Sequence, residues 1–230
     1  MRYCALATDY DGTLATKGKV DEQTLSALKR FLLSGCKLLL VTGRELPDLK
    51  RVFPHLNLFT RVVAENGALL YRPETGEEEL LCPPMPRAFT NTLRGLGIPF
   101  SVGQALVATV DTHCAAVQNA ILESGLDLQM CLNKGSVMVL PASVNKATGL
   151  RCALRELGID ASRVVGIGDA ENDRDFLDIC GCAAAVANAL PSVKSAAHVV
   201  TAGSHGFGVA EILDRILADD LLFGTDGRRG

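Results

Sequence analysis

A short apolar segment, residues 3–8, runs directly into Asp9 and Asp11, and this junction constrains the fold more than any other feature of the chain. A bounded apolar run of this length predicts a buried β-strand. Gly12 follows, and glycine permits a sharp turn where the strand ends. Two carboxylates this close repel each other and lose hydration on burial, so the pair indicates a nearby cation. For this segment alone, a solvated turn with an aspartate cap is the alternative interpretation.

Composition limits the class of protein and its partners. With 230 residues, 48% of them hydrophobic and 21% charged, the chain is expected to be globular, with one large domain or two unequal ones. A net charge of -3 and the absence of any lysine or arginine block argue against a nucleic-acid partner. The most apolar stretch, residues 31–41, is interrupted by polar residues and glycine and is too short to span a bilayer. We therefore expect no membrane association.

The cysteine pattern bears on the cellular compartment. The chain has eight cysteines, but no CxxC pair and no Cys–His metal-binding spacing. Scattered cysteines in apolar segments favour reduced, buried thiols. We therefore predict a cytoplasmic location.

Strand and helix patterns alternate at both ends of the chain. Strands are predicted at 3–8, 37–41, 61–64 and 164–167, and helices at 21–33, 45–53, 146–157 and 171–180. Such βαβα order predicts an α/β fold with a Rossmann-like parallel sheet and helices on both faces. We assign this core to residues 1–81 and 142–230, so it is discontinuous.

A different pattern separates the two parts of the core. Four prolines and an acidic run in residues 73–86 predict a linker. Residues 82–141 then follow the order helix, strand, strand, helix, strand, strand, which predicts a small inserted α+β (αββαββ) domain. Its predicted elements are 87–96, 100–102, 105–110, 114–124, 127–132 and 136–140.

A second predicted strand also ends in acids. Residues 164–167 lead into Asp169 and Asp173, and parallel strands bring their carboxyl ends to one crevice. We expect four carboxylates to converge there: Asp9, Asp11, Asp169 and Asp173. Such a group needs a cation, and an all-oxygen ligand set suits Mg²⁺. The alternative is that Asp169 caps a helix whose first turn contains Asn172 and Asp173.

Two further segments reach the same crevice. Thr42 and Gly43 follow the strand at 37–41, and a hydroxyl and a backbone N–H at a helix start can bind phosphate. An ordinary strand–helix turn is the alternative there. Lys146 begins a helix just after the insertion, where it could neutralise phosphate charge, although most lysines are solvated.

In this order the motifs resemble those of one known superfamily. The set Asp9-x-Asp11-Gly12-Thr13, Thr42, Lys146 and Gly168-Asp169-x-x-Asn172-Asp173 resembles the four loop motifs of the haloacid dehalogenase (HAD) superfamily and spans nearly the whole chain. The inserted αββαββ segment resembles a type IIB cap domain. The Glu65-Asn66-Gly67-Ala68 segment is similar to Cof-type members.

The resemblance implies a Mg²⁺-dependent phosphatase that acts on a small phosphorylated metabolite, a phosphosugar or phospho-organic acid, through an aspartyl phosphate. Asp9 is then the nucleophile, and Asp11 is the general acid and base. The implied metal ligands are Asp9, the Asp11 backbone carbonyl, Asp169 and, directly or behind another ligand, Asp173. Phosphate binding is implied for Thr42, Gly43, Lys146 and Asn172, and substrate contact for Arg44.

Two other functions stay open at this stage. A phosphosugar mutase of the same fold keeps Asp11 and can carry a similar cap, so product analysis would distinguish it from a phosphatase. A non-catalytic binding or regulatory module on the same fold is the other alternative, although the intact motif set argues against it. The sequence does not indicate an oligomeric state.

Overall fold

The computed structural model describes residues 2–133 and 135–221. These residues form eight α-helices and twelve β-strands, and the strands are arranged in two sheets. The strands are β1 Ala5–Thr8, β2 Lys37–Val41, β3 Arg61–Ala64, β4 Leu69–Arg72, β5 Glu77–Leu80, β6 Ser101–Val102, β7 Val107–Val110, β8 Leu128–Asn133, β9 Ser136–Pro141, β10 Val164–Gly168, β11 Cys182–Ala185 and β12 Val199–Val200. The helices are α1 Glu22–Leu33, α2 Leu46–Val52, α3 Arg87–Gly95, α4 Cys114–Ser124, α5 Lys146–Leu157, α6 Arg174–Ile179, α7 Pro191–Ala196 and α8 Gly206–Asp219.

The large sheet has the strand order β12-β11-β10-β1-β2-β3-β4-β5. Its first six strands in this order are parallel, and β4 and β5 are antiparallel. Apolar β1 and β2 are buried because helices cover both faces: α1 packs with α8, and α5 packs with α6. The predicted Rossmann-like α/β fold is confirmed. The chain order reverses between β1 and β10, where ligands bind in open sheets of this kind.

One part of the predicted linker was wrong. Glu77–Leu80 forms β5, which pairs with β4 at the edge of the large sheet. The glutamates are exposed, and Glu78 and Glu79 form ion pairs with Lys50 and Arg72. An edge strand forms backbone hydrogen bonds with one neighbour only, and charged side chains are common there. An acidic run whose composition is typical of a linker can therefore still extend a sheet.

The small sheet has the antiparallel order β6-β7-β9-β8. Helices α3 and α4 cover one of its faces with their own hydrophobic cluster, which includes Phe89, Val107, Val117, Val137 and Val139. The elements follow the predicted αββαββ order. The domain boundaries at residues 82 and 141 stay a prediction.

Four smaller outcomes concern the remaining predictions. The helix expected at 171–180 is a short 3₁₀ turn, Glu171–Asp173, followed by α6. All eight cysteines are free, as expected, but burial was predicted correctly for Cys36, Cys180 and Cys182 alone, because the other five are partly exposed. Residues 222–230, which we assigned to the core, lie outside the described residues. Among the described residues, no helix combines the length and apolarity needed to cross a membrane.

Candidate active site

Three neighbouring strand ends position the candidate active site. Asp9 follows β1, Asp169 follows β10 on one side of it, and Thr42 follows β2 on the other. The backbone N–H of Asp9 donates to the Ile167 carbonyl at 3.1 Å, so the first two loops leave the sheet side by side. The expected crevice at the carboxyl ends of the parallel strands therefore forms at the point where the strand order reverses.

Three of the predicted acids form a buried cluster. Asp9, Asp169 and Asp173 each offer a carboxylate oxygen, and these oxygens all lie within 4.8 Å of one another. Thr13 Oγ1 donates to Asp169 at 2.7 Å. Asp173 Oδ2 accepts the backbone N–H groups of Asp169 at 2.8 Å and Ala170 at 2.9 Å, which fixes this loop. Hard oxygen ligands in this number and spacing could hold a metal ion.

Lys146 lies inside this cluster. Its ammonium donates to Asp9 Oδ1 at 2.5 Å and to Asp173 Oδ1 at 2.6 Å, and the side chain is 1% exposed. The lysine is the first residue of α5, where the Asn145 side chain caps the helix by accepting the backbone N–H of Thr148. Lysine is rarely fully buried in proteins. Here its burial is possible because two carboxylates pair with the ammonium.

Burial and charge perturb both members of the Asp9–Lys146 pair. Burial raises the pKa of Asp9 well above its ordinary value; Lys146 opposes this shift, and Asp173 and Asp169 add to it. Burial alone would lower the pKa of Lys146, but the adjacent Asp173 and Asp9 outweigh it and raise that pKa. The lysine is therefore held in its charged form.

The phosphate-binding candidates line the same crevice. Thr42 is buried, and its Oγ1 accepts the backbone N–H of Arg44 at 3.1 Å. Asn172 Nδ2 donates to Asn66 Oδ1 at 3.1 Å, whereas Asn172 Oδ1 is buried without a hydrogen-bond partner. A Cβ placed on Gly43 would lie 3.9 Å from Asn172 Nδ2, so the loops after β2 and β10 meet here.

Asp11 does not join the acid cluster, so the expected convergence of four carboxylates was wrong. Its side chain is 40% exposed and pairs with Arg44, whose Nε and Nη2 donate to it at 2.5 and 2.8 Å. Arg44 also pairs with Asp48. These partners raise the pKa of Arg44, with the Asp11 hydrogen bond as the largest cause. The nearby guanidinium draws Asp11 away from three like charges. Arg44 as a substrate contact stays a prediction.

Two residues that the motifs did not indicate fix the turn after Asp11. The Gly12 carbonyl accepts Asn188 Nδ2 at 2.7 Å and lies 2.9 Å from His205 Nδ1. The backbone N–H of His205 donates to Asn188 Oδ1 at 2.7 Å. Neither residue lies in a recognisable motif, and both are more than 170 positions from Gly12 in sequence, so no local signal could have found them. The sequence indicated Asn66 as part of an Asn-Gly turn, which its positive φ of 54° fits, and of the Cof-type segment, but not as a partner of Asn172.

Comparison with known proteins identifies the family. Residues 6–93 and 123–213 match the model of the haloacid dehalogenase-like hydrolases. The chain belongs to this family. This HAD-like hydrolase is 29% identical over 222 residues to a phosphoglycolate phosphatase of Methanothermobacter thermautotrophicus, covering 93% of this chain and 98% of the relative. It is 30% identical over 228 residues to a phosphoglycolate phosphatase of Methanothrix thermoacetophila, covering 95% and 99%.

The fold is also similar to that of solved HAD-like hydrolases. The crystal structure of one from Bacteroides thetaiotaomicron superposes with a TM-score of 0.82 at 20% sequence identity, covering 93% of this chain and 99% of that one. The resemblance drawn from the sequence motifs is thus confirmed. So is the enzyme class, a phosphoric monoester hydrolase.

Proposed function

We propose that this HAD-like hydrolase is a Mg²⁺-dependent phosphatase that cleaves a small phosphomonoester through an aspartyl phosphate, the acyl phosphate of Asp9. The observation that carries the proposal is the position of Lys146, buried between Asp9 and Asp173 at the strand-order reversal. An ammonium held there neutralises charge on a phosphoryl group beside Asp9.

The acid cluster fits a divalent cation. The cluster holds three buried carboxylates, those of Asp9, Asp169 and Asp173, but one buried ammonium, so the acids carry more charge than Lys146 neutralises. Asp9 and Asp169 are our candidates for direct ligands, together with the Asp11 backbone carbonyl. Asp173 already accepts three hydrogen bonds, which favours a supporting role. When bound, Mg²⁺ supplies charge stabilisation to the phosphoryl oxygens.

The residues divide the reaction into two transfers. An Asp9 carboxylate oxygen attacks phosphorus, and the bond from phosphorus to the ester oxygen breaks while Asp11 gives that oxygen a proton. Asp11 then takes a proton from a water molecule that attacks the same phosphorus. The bond to Asp9 breaks, which releases phosphate and restores both carboxyl groups. Thr42, Gly43, Lys146 and Asn172 hold the phosphoryl oxygens throughout.

The substrate and its enclosure belong to the same proposal. The two relatives named above are phosphoglycolate phosphatases, which makes 2-phosphoglycolate the first candidate among phospho-organic acids and phosphosugars. We propose that residues 82–141 form a cap over the crevice, since residues of this segment and of the core loops line shared clefts. A cap excludes water and contacts the leaving group. A cytoplasmic location stays a prediction.

Phosphate release tests the proposal. Wild-type protein should release phosphate from 2-phosphoglycolate or another ester of a phosphometabolite panel with Mg²⁺, and should stop in chelator. Asp9→Asn should lower kcat by about 10³-fold or more. Borohydride reduction during turnover should convert Asp9 into homoserine, because an acyl phosphate is reduced at its carbonyl. Full activity without divalent metal, an active Asp9→Asn variant, or an isomeric phosphosugar as the product would contradict the proposal.

A further inference from the structure

Met138 occupies an unusual place between the two sheets. Within β9 it alternates with Val137 and Val139, which pack in the cluster beneath α3 and α4. Successive side chains of a strand point to opposite faces, so Met138 points away from that cluster. Its side chain is 4% exposed, yet it belongs to none of the three hydrophobic clusters that the described residues form. The burial of Met138 therefore comes from the crevice between the sheets.

The side chain of Met138 reaches the phosphate-binding loop. A Cβ placed on Gly43 would lie 3.2 Å from Met138 Sδ and 3.7 Å from its Cε. Gly43 follows Thr42 directly and approaches the amide of Asn172 at the same point. The thioether thus lies against the loop that we propose binds the phosphoryl group, and a Cβ at position 43 would crowd it.

Met138 also lies between two clefts. In the sheet it is flanked by Ala108 of β7 and by Cys131 of β8. Ala108 lines a cleft of about 430 Å³ with Gly43 and Arg44, whereas Cys131 lines a cleft of about 390 Å³ with Asn172. Met138 is therefore placed to separate these spaces.

We infer that Met138 is a specificity-determining residue that limits the leaving group beside the ester oxygen; this inference rests on the proposed function. Arg44, which binds Asp11, lines the larger of these clefts, so a leaving group that Asp11 protonates is placed to enter it. On one side this cleft is lined by uncharged residues: Ser101 and Ala108 of the small sheet, and Leu106, which directly precedes β7. A short, unbranched leaving group passes beside Met138 into this cleft. A ring or branch within two carbons of the ester oxygen collides with the thioether.

A pair of alkyl phosphates tests this assignment. n-Propyl phosphate and cyclohexylmethyl phosphate both release primary alcohols, so they differ mainly in bulk near the ester. Wild-type protein should prefer the propyl ester. Met138→Ala should raise the ratio of kcat/KM, cyclohexylmethyl over propyl, by about tenfold or more, since a methylene-sized fit in an apolar pocket carries at least that discrimination. The ratio is measured within one preparation, so it does not depend on the folded fraction.

Three control variants separate the position of Met138 from general packing. Met138→Leu keeps the volume and should keep the ratio. Met138→Phe should lower it. Met85→Ala removes a methionine buried in the cluster beneath α3 and α4, and should leave the ratio unchanged.

The outcomes also distinguish a failure of the Met138 assignment from a failure of the proposed function. An unchanged ratio in both Met138→Ala and Met138→Phe, with an active wild type, overturns the assignment of Met138 alone. No phosphate release by the wild type from either alkyl ester, from an aryl phosphate or from the metabolite panel overturns the proposed function, and the assignment with it.

Discussion

Arg44 binds both carboxylate oxygens of Asp11, through Nε at 2.5 Å and Nη2 at 2.8 Å. The remaining nitrogen, Nη1, donates to Asp48, and the guanidinium carbon lies 5.5 Å from the Tyr10 ring centroid. Two-pronged pairing of this kind fixes direction as well as distance. Asp11 is thereby held in one orientation beside the cluster that contains Asp9.

Replacing Arg44 tests whether it orients Asp11 or contacts substrate. If it orients Asp11, Arg44→Leu should lower kcat by about tenfold or more while KM changes little, and the loss should be larger for alkyl than for aryl phosphates. Arg44→Lys should recover only part of kcat, because an ammonium lacks the planar fork. Steady-state kinetics on both ester types measure this. A raised KM with unchanged kcat would instead support the substrate contact that the sequence predicts.

Removing the buried ammonium should destabilise the fold. Lys146→Met leaves Asp9 and Asp173 without their shared partner, and breaking a buried pair from one side costs about 3–5 kcal/mol. Urea unfolding measures the loss. Lys50→Met is the matched control, because Lys50 pairs with Glu78 near the surface and should cost about 1 kcal/mol or less. Equal losses in the two variants would contradict the role given to Lys146.

Magnesium should stabilise the wild-type protein in the absence of substrate. A ligand at 100 times its Kd raises the free energy of unfolding by about 2.7 kcal/mol. Urea unfolding with Mg²⁺ and with chelator should show this difference, and Asp169→Asn should abolish it. Asp175→Asn is the control: Asp175 lies close by and accepts a hydrogen bond from Asn145, but it is outside the acid cluster. A Mg²⁺ effect that survives in Asp169→Asn would argue against the site.

Glu65 should anchor the small sheet to the core. Its buried carboxylate accepts the backbone N–H groups of Gln104 at 3.0 Å and Ala105 at 2.9 Å. Glu65→Gln directs an amide N–H towards these donors, so hydrogen exchange at both amides should accelerate by about tenfold or more. Glu78→Gln alters contacts with the Gln104 and Lys50 side chains but none with these two amides, so it should not accelerate their exchange. Unchanged exchange in Glu65→Gln would show that other contacts carry the anchor.

Cys180 should resist alkylation well above neutral pH. Burial, with a smaller contribution from Cys182, raises its thiol pKa to about 12 from an ordinary value of 9.0. The folded protein therefore disfavours the thiolate, and the stability from the protonated thiol is present below pH 9 and falls as the pH rises towards 12. At pH 9 iodoacetamide should label partly exposed Cys152 before Cys180, as peptide mass spectrometry would show. Equal labelling rates in folded protein would contradict this.

Local patterns predicted most elements because hydrophobic periodicity and end signals act over a few residues. The helix beginning at Lys146 and the strand at Lys37–Val41 have the predicted bounds. The acidic strand β5 was not predicted, because its stability comes from pairing with β4 and from ion pairs to other elements. Propensity alone disfavours three consecutive glutamates in a strand.

The sequence by itself determined which loops meet, because the carboxyl ends of adjacent parallel strands converge whatever else the chain does. That rule brought Asp9, Asp169 and Thr42 together from positions up to 160 residues apart. Only the tertiary structure decided which side chains bond within the crevice. Asp11 turned to Arg44, and Met138 came to lie over Gly43, because such contacts depend on packing angles and rotamers between separate elements, which no local pattern encodes.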